Sequence, residues 1–337
     1  MRCEGVAALA ALLALGGAGA QADAPLVVAG AAYESPGLLA PTLLVVAPRA
    51  RGGSWRARLT GWTLGGEWRR VAGARRALVV AASLTPVNAH ASNSLYRDGT
   101  KQPSLAYRNA TLELALGLEA RHGRWHRSEL HLVGLHESVG GLGIAERRRW
   151  RAPFLGVEAT HTVSHQRSDE PLGAFTDGWK AFVRGRGLTG VRSFGQLHGG
   201  LSAGRRMGWL LLRGDVTGHA GAQADSVSAS LVGGSWDGVA GAVYGYRYAE
   251  FRVPRGLVAT AGADAALSGE WRLGARAGYL RAPGLERRGY AVRLGTRLSG
   301  VALHAGAGLP HDSLRRGTLR HGLLFSGATV ALFVPRR

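Results

Sequence analysis

The side chains best equipped for chemistry in this chain are its 12 histidines. None stands in a His-Glu-x-x-His arrangement or another compact ligand spacing, so no metal site is expected. His131, His161, His165 and His219 alternate with apolar residues, which suits a lumen or rim position on strands better than a ligand set. His136-Glu137-Ser138 has the residue types of a hydrolytic triad, in which a serine is activated by a histidine that a third polar group orients. Adjacent strand residues point to opposite faces, so their adjacency supplies no geometry. No motif supports a reaction; no catalytic residue, cofactor or enzyme activity is expected. The one cysteine, Cys3, lies in the extreme N-terminal segment and excludes disulfide scaffolds, cysteine–zinc sites and thiol catalysis.

The elements that would have to position such groups are strands. Leu112, Leu114, Leu116 and Leu118 alternate with Glu113, Ala115, Gly117 and Glu119. Leu210, Leu212, Gly214, Val216, Gly218 and Ala220 interleave with Trp209, Leu211, Arg213, Asp215, Thr217 and His219. Tyr290, Val292, Leu294, Thr296 and Leu298 do so with Ala291, Arg293, Gly295, Arg297 and Ser299. This period of two separates two faces. Between such segments lie turn clusters, among them Arg51-Gly52-Gly53-Ser54, Asp98-Gly99-Thr100, Arg121-His122-Gly123-Arg124 and Pro283-Gly284, as an antiparallel meander requires. The faces carrying Arg, Glu, Gly and Thr distinguish a transmembrane barrel, polar inside and apolar toward lipid, from a soluble sandwich. At about 10 residues per spanning strand plus alternating short turns and longer loops, the mature chain holds roughly 14 to 16 strands, and 16 is the number expected. The fold class is therefore all-β, a transmembrane antiparallel β-barrel.

Arg2 followed by an apolar run over residues 6–15 and Ala18-Gly19-Ala20 reads as a secretory signal peptide, residues 1–20, with cleavage near Ala20 or Ala22. Residues 23–337 form one barrel domain. No stretch of 18 or more apolar residues follows, which removes helical spans. The 46% hydrophobic and 19% charged composition removes a disordered tail, and the 52 glycines show no collagen period. A net charge of +20 could suggest nucleic acid, but the arginines are dispersed and export removes the chain from it. Outer-membrane lipids, lipopolysaccharide phosphates or an anion-favouring lumen are better partners.

At the C-terminus Phe325, Gly327, Val330 and Leu332, with Phe333 the last aromatic, have the form of the terminal strand that outer-membrane barrels show to their assembly machinery. Val334-Pro335-Arg336-Arg337 departs from the rule that such chains end on the aromatic. Ala32-Tyr33-Glu34-Ser35-Pro36-Gly37 looks like an opening barrel strand and turn. Arg167, Asp169 and Pro171, followed by Gly178 and Trp179, are similar to an Asp-x-Arg-Asp-x-Pro run and Gly-Trp of a mid-barrel hairpin, with His165 at the first Asp. Val243, Tyr244, Gly245, Tyr246 and Arg247 look like a Val-Arg-Gly-Phe/Tyr loop signature with Tyr244 in place of the Arg. In their order these stretches resemble the bacterial surface antigen family, the BamA/TamA-like outer-membrane barrels. The resemblance implies that the loop after Gly234 folds into the lumen. It also implies that the loop's Arg would pair with an Asp on a lumen-facing strand, where residues 273–278 carry Arg276 and Gly278 instead. Both halves of that pair would then be replaced together. The family's periplasmic POTRA domains have no room here, so a barrel-only member is expected.

The implied function is insertion or translocation of outer-membrane proteins, with client proteins and the assembly machinery as partners. The alternatives are a passive, anion-preferring pore or structural barrel and, less favoured, a lipid hydrolase using Ser138.

Overall fold

The computed structural model describes residues 26–34, 38–50, 53–60, 63–88, 95–97, 100–102, 108–140, 150–167, 177–223, 230–232, 242–246, 250–268, 270–298, 301–315 and 323–332. Its first strands are β1 (Leu26–Glu34), β2 (Leu38–Ala50), β3 (Gly53–Thr60), β4 (Thr63–Val71) and β5 (Arg76–Asn88). After a small hairpin of β6 (Leu95–Arg97) and β7 (Thr100–Gln102) come β8 (Arg108–Arg121), β9 (His126–Gly140), β10 (Trp150–Arg167), β11 (Asp177–Thr189), β12 (Ser193–Met207) and β13 (Leu210–Ala222). A second small hairpin, β14 (Ser230–Val232) with β15 (Phe251–Val253), precedes β16 (Arg255–Ser268), β17 (Trp271–Ala282), β18 (Leu285–Leu298), β19 (Val301–Pro310) and β20 (Leu323–Leu332). A one-turn helix, His311–Arg315, sits between the last two.

All strands except the two small hairpins form one closed antiparallel barrel, each pairing with its neighbour in chain order. That makes 16 staves, the number the alternation predicts. β1 closes on β20 from Val27–Leu332 to Glu34–Phe325. Closure gives every spanning strand a partner on both sides, as a hydrocarbon environment demands of backbone polar groups. Among the described residues no helix is long and apolar enough to cross a membrane.

The two faces sort by polarity in the sense expected of a lipid-facing barrel. Leu112, Leu114, Leu116 and Leu118 stand exposed on the outside, Leu118 at 62%. Glu119 between strands of the same wall is buried inside. Leu130 and Leu132 on β9, Leu155 and Val157 on β10, Leu197 and Leu201 on β12, and Val292 and Leu294 on β18 continue the outward belt. A soluble barrel would bury these side chains in its centre. Instead the buried set includes Glu137, Glu158, Asp264 and Arg276.

Strands alternate in direction, so the short turns at residues 72–75, 122–125 and 208–209 share one end with Leu26 and Leu332. The long connection over residues 223–254, between the eleventh and twelfth barrel strands, lies at the other end.

Candidate functional site

The described part of the 223–254 connection packs against the inside of the wall. Val232, Val243, Tyr246, Phe251 and Val253 form one apolar cluster with Val258 of β16 and Leu280 of β17. Val243 is 0% exposed, and the Tyr246 and Phe251 rings meet edge-on at 5.1 Å. Tyr244 packs with Ala291 of β18. The chain turns at Gly245, where φ is +82° and the Tyr246 N–H donates to the Val243 carbonyl at 3.3 Å. A Cβ at Gly245 would run into the Leu309–Pro310 backbone, and one at Gly289 into the Tyr244 carbonyl. At Gly278 it would approach the Tyr244 nitrogen to 3.1 Å. Glycine thus lets loop backbone lie directly on wall backbone, which no larger residue permits. Arg247 lies outside the described residues.

Arg276, with Tyr244 where the resemblance would have an Arg, is not left without a carboxylate. It donates to both oxygens of Asp264 on the neighbouring β16 at 2.8 Å, and to the carbonyls of Ala263 and Ala275 at 3.1 and 2.9 Å. Asp264 also receives Arg213 from β13 at 2.6 Å and Arg293 from β18 at 3.2 Å. Both side chains of the central pair are 2% exposed. Three guanidiniums from three strands thus converge on one carboxylate below the loop. Low dielectric makes such pairs strong and their disruption costly. Asp264, Arg213 and Arg293 were not singled out by sequence reasoning. The available signal was a lone Asp in the Ala/Gly-rich strand β16 facing the arginine side of the next strand.

A second network lies farther round the wall. Arg184 of β11 donates to Glu158 of β10 at 2.5 Å, and Arg186 reaches over β10 and β9 to Glu113 of β8 at 2.6 Å. Glu119 holds Arg69 and, at 3.0 Å, Arg121. Near the opposite end the Arg192 guanidinium lies 5.2 Å from the Phe194 ring, 5.9 Å from that of Phe154 and 3.7 Å from Glu137. Of these, Arg186–Glu113 and Arg69–Glu119 brace the interior across strands that are not neighbours.

The remaining sequence candidates are dispersed. Gly178 has φ +109°, and exposed Trp179 is the backbone partner of His165 on the outer face. Arg167 pairs through its backbone with Asp177 at the end of β10. Asp169 and Pro171 lie outside the described residues, as do Phe333 and the signal segment. Phe325, Gly327, Val330 and Leu332 fall in β20 and pair with Glu34, Ala32, Ala29 and Val27 of β1. Glu137 faces inward, whereas His136 and Ser138 continue the outward positions of Leu130 and Leu132, so the adjacent trio is not brought together. His131 and His219 face the lumen; His161 and His165 face outward near the terminal end. Among the described residues no group of three or more His, Cys, Asp or Glu could hold a metal.

A closed 16-stranded barrel, apolar outside and charged within, with the connection after its eleventh strand docked on the inner wall, defines a membrane-barrel class. Within it, the fold is that of BamA and CdiB. BamA from Haemophilus ducreyi lacking POTRA domains 1–3 superposes with a TM-score of 0.66 at 10% identity, over 92% of this chain and 71% of that one. CdiB from Acinetobacter baumannii gives 0.59 at 11%, over 91% and 60%, and CdiB from Escherichia coli 0.58 at 13%, over 91% and 63%. The chain thus spans somewhat under two thirds of either CdiB. No protein-family model matches the chain, and no curated protein matches it in sequence.

Proposed function

We propose that this is an outer-membrane barrel of the surface antigen type whose β1–β20 seam serves the insertion or translocation of other proteins. The observation that carries the reading is the uneven length of the staves. β1, β3, β4, β19 and β20 have 9, 8, 9, 10 and 10 residues, against 15, 18 and 15 in β9, β10 and β12. A tilted spanning strand needs about 9–11 residues, so the seam wall only just crosses hydrocarbon while the far wall overshoots it. A bilayer adapts to a short wall by thinning, at fractions of a kcal/mol per Å of mismatch. Thinning beside the seam lowers the barrier for a strand entering there. β2 is longer, at 13 residues, but carries Pro41 opposite Ala31 of β1, where the ladder has no donor from the proline. The likeness to the BamA and CdiB barrels supports the same reading. On it, the short-turn end faces the periplasm, the assembly machinery recognises β20 during biogenesis, and the surrounding partners are phospholipid, lipopolysaccharide and client barrels.

Ala31 and Ala328 face each other across the seam. A31C/A328C in a C3S background should fold as a barrel. Oxidised, it should lose the ability to speed folding of an eight-stranded probe barrel into vesicles, and reduction should restore it. Equal acceleration in the locked and reduced forms would refute the seam mechanism.

A passive anion-preferring pore is the second reading, favoured by the net charge of +20; the arginines Arg56 and Arg58 line a cavity of about 130 Å³ in which Glu67 and Glu113 offset them. Planar-bilayer recording separates the two. Steady anion-selective conductance supports the pore, and a closed baseline with rare openings supports the plugged seam barrel.

A further inference from the structure

Followed toward the end that carries the termini, the outer face of β8–β10 turns from leucine and valine to a mixture with polar side chains. Beyond Leu118 on β8, Leu130 on β9 and Val157 on β10, the outward positions are Ala120, then Ser128 and His126, and Ala159, His161, Val163 and His165. The Ser128 hydroxyl lies 2.9 Å from His161 Nδ1 and 3.0 Å from His122 Nε2, a residue of the 122–125 turn. One hydroxyl has one proton, so it donates to one ring and accepts from the other. Either way, the ring that accepts from the hydroxyl turns its other nitrogen, as an N–H, away from the serine. Beside this chain the Arg124 guanidinium lies 4.6 Å over the Trp125 ring, which in turn packs 4.2 Å from His165. The His126 and His161 rings are 5.7 Å apart. Trp179, backbone partner of His165, is exposed on the same face. Among the described residues next to the patch, the carboxylates of Glu119 and Glu129 belong to the inner face with Arg69, Arg121 and Arg127. The outward carboxylate along β11, Asp177, stands opposite Arg167 in the register.

We infer that this patch binds the phosphate of a glycerophospholipid in the leaflet on the short-turn side. It rests on the membrane-barrel reading above. The site sits one step past the apolar belt, where a headgroup begins, and offers N–H donors and one fixed positive charge. Trp125 and Trp179 are the amphipathic rings that settle at that boundary. Arg124, over the Trp125 ring, and the outward imidazole N–H supply two arms for one phosphate, and charge-assisted contacts of this kind are among the strong ones. The opposite end, with the long connections, would face lipopolysaccharide instead.

The test uses the full barrel folded in non-ionic detergent, verified by heat-modifiable gel mobility and titrated with lipid in native mass spectrometry. One phosphatidylglycerol should be retained about tenfold more tightly than diacylglycerol of the same chains, a headgroup effect of one strong contact. R124A and H161A should each weaken it by about tenfold, H161Q by less, and R288A at the other end not at all. Unchanged affinity in R124A and H161A, equal retention of diacylglycerol, displacement by inorganic phosphate at equal concentration, or stronger retention of lipid A would each overturn the assignment. Failure of the unaltered chain to fold as a barrel in detergent and vesicles would overturn the membrane reading, and this site with it.

Discussion

Asp264 sits where three arginines meet, and this makes its removal unlike the removal of any one of them. In D264A the Arg276 guanidinium, 2% exposed, keeps its two carbonyls but loses its carboxylate, alongside Arg213 and Arg293. Stripping one partner from a buried pair costs about 3–5 kcal/mol. R276M leaves Asp264 still held by two guanidiniums and should cost less. Urea-induced unfolding in vesicles should therefore rank D264A below R276M, and the reverse order would show that Asp264 is not the keystone. On the outer face the opposite logic applies. Leu116 is exposed near the middle of the apolar belt of β8, so L116R should cost about 2–4 kcal/mol in lipid, the price of a cation near the midplane. The same substitution on the surface of a soluble protein would be nearly neutral.

At the scale of elements, the inward loop and the wall meet through backbone as well as through the apolar side chains packed on Val258 and Leu280. Gly245 turns the loop with a positive φ, and Gly289 of β18 leaves room for the Tyr244 carbonyl. G289V should push the loop off the wall, and G245A should strain its turn. Both are expected to raise barrel conductance and lower thermal stability by about 1–3 kcal/mol, the range for backbone clash and positive-φ strain. Gly185 of β11 has open space where a Cβ would go, so G185A serves as a control with unchanged conductance. If G289V conducts like the unaltered barrel, the loop does not gate the lumen. The ion-pair bridges from β8 to β11 behave differently. They brace a curved wall from inside, and loss of one should loosen that wall without moving the loop.

The whole molecule is lopsided. Its seam wall has strands of 8 to 10 residues, apart from β2, and its far wall strands of up to 18. A uniform bilayer cannot match both walls, the shortest stave, β3, having 8 residues and the longest, β10, 18. Folding yield and rate into vesicles of short-chain phosphatidylcholine should therefore exceed those in long-chain vesicles. A chain with the seam strands lengthened by two residues each should narrow the difference. Equal rates at all thicknesses would mean that the short wall carries no mismatch. The charged network of Glu113, Glu158, Arg184 and Arg186 lies on the inner face at the height of the outward Leu112, Leu132 and Val157, and ties β8 to β11 through the far wall.

Much of this architecture is written in the period-two pattern. Leu112 to Leu118 against Glu113 to Glu119 settles that two faces exist, and the chain length divided by a strand together with its turn or loop gives the number of staves. Charged residues on one face of strands with leucine on the other also fix which side meets lipid, because a guanidinium or carboxylate in hydrocarbon is far costlier than a leucine in water. What alternation leaves open is register, since sliding a strand by two residues preserves its faces while changing every partner. Ser128 and His161, 33 residues apart, become neighbours only through the pairing of β9 with β10. Asp264 meets Arg213, Arg276 and Arg293 only because β13, β16, β17 and β18 are locked in one register. The faces follow from local stereochemistry and solvent; the partners are a property of the closed barrel, in which each strand's position is set by all the others.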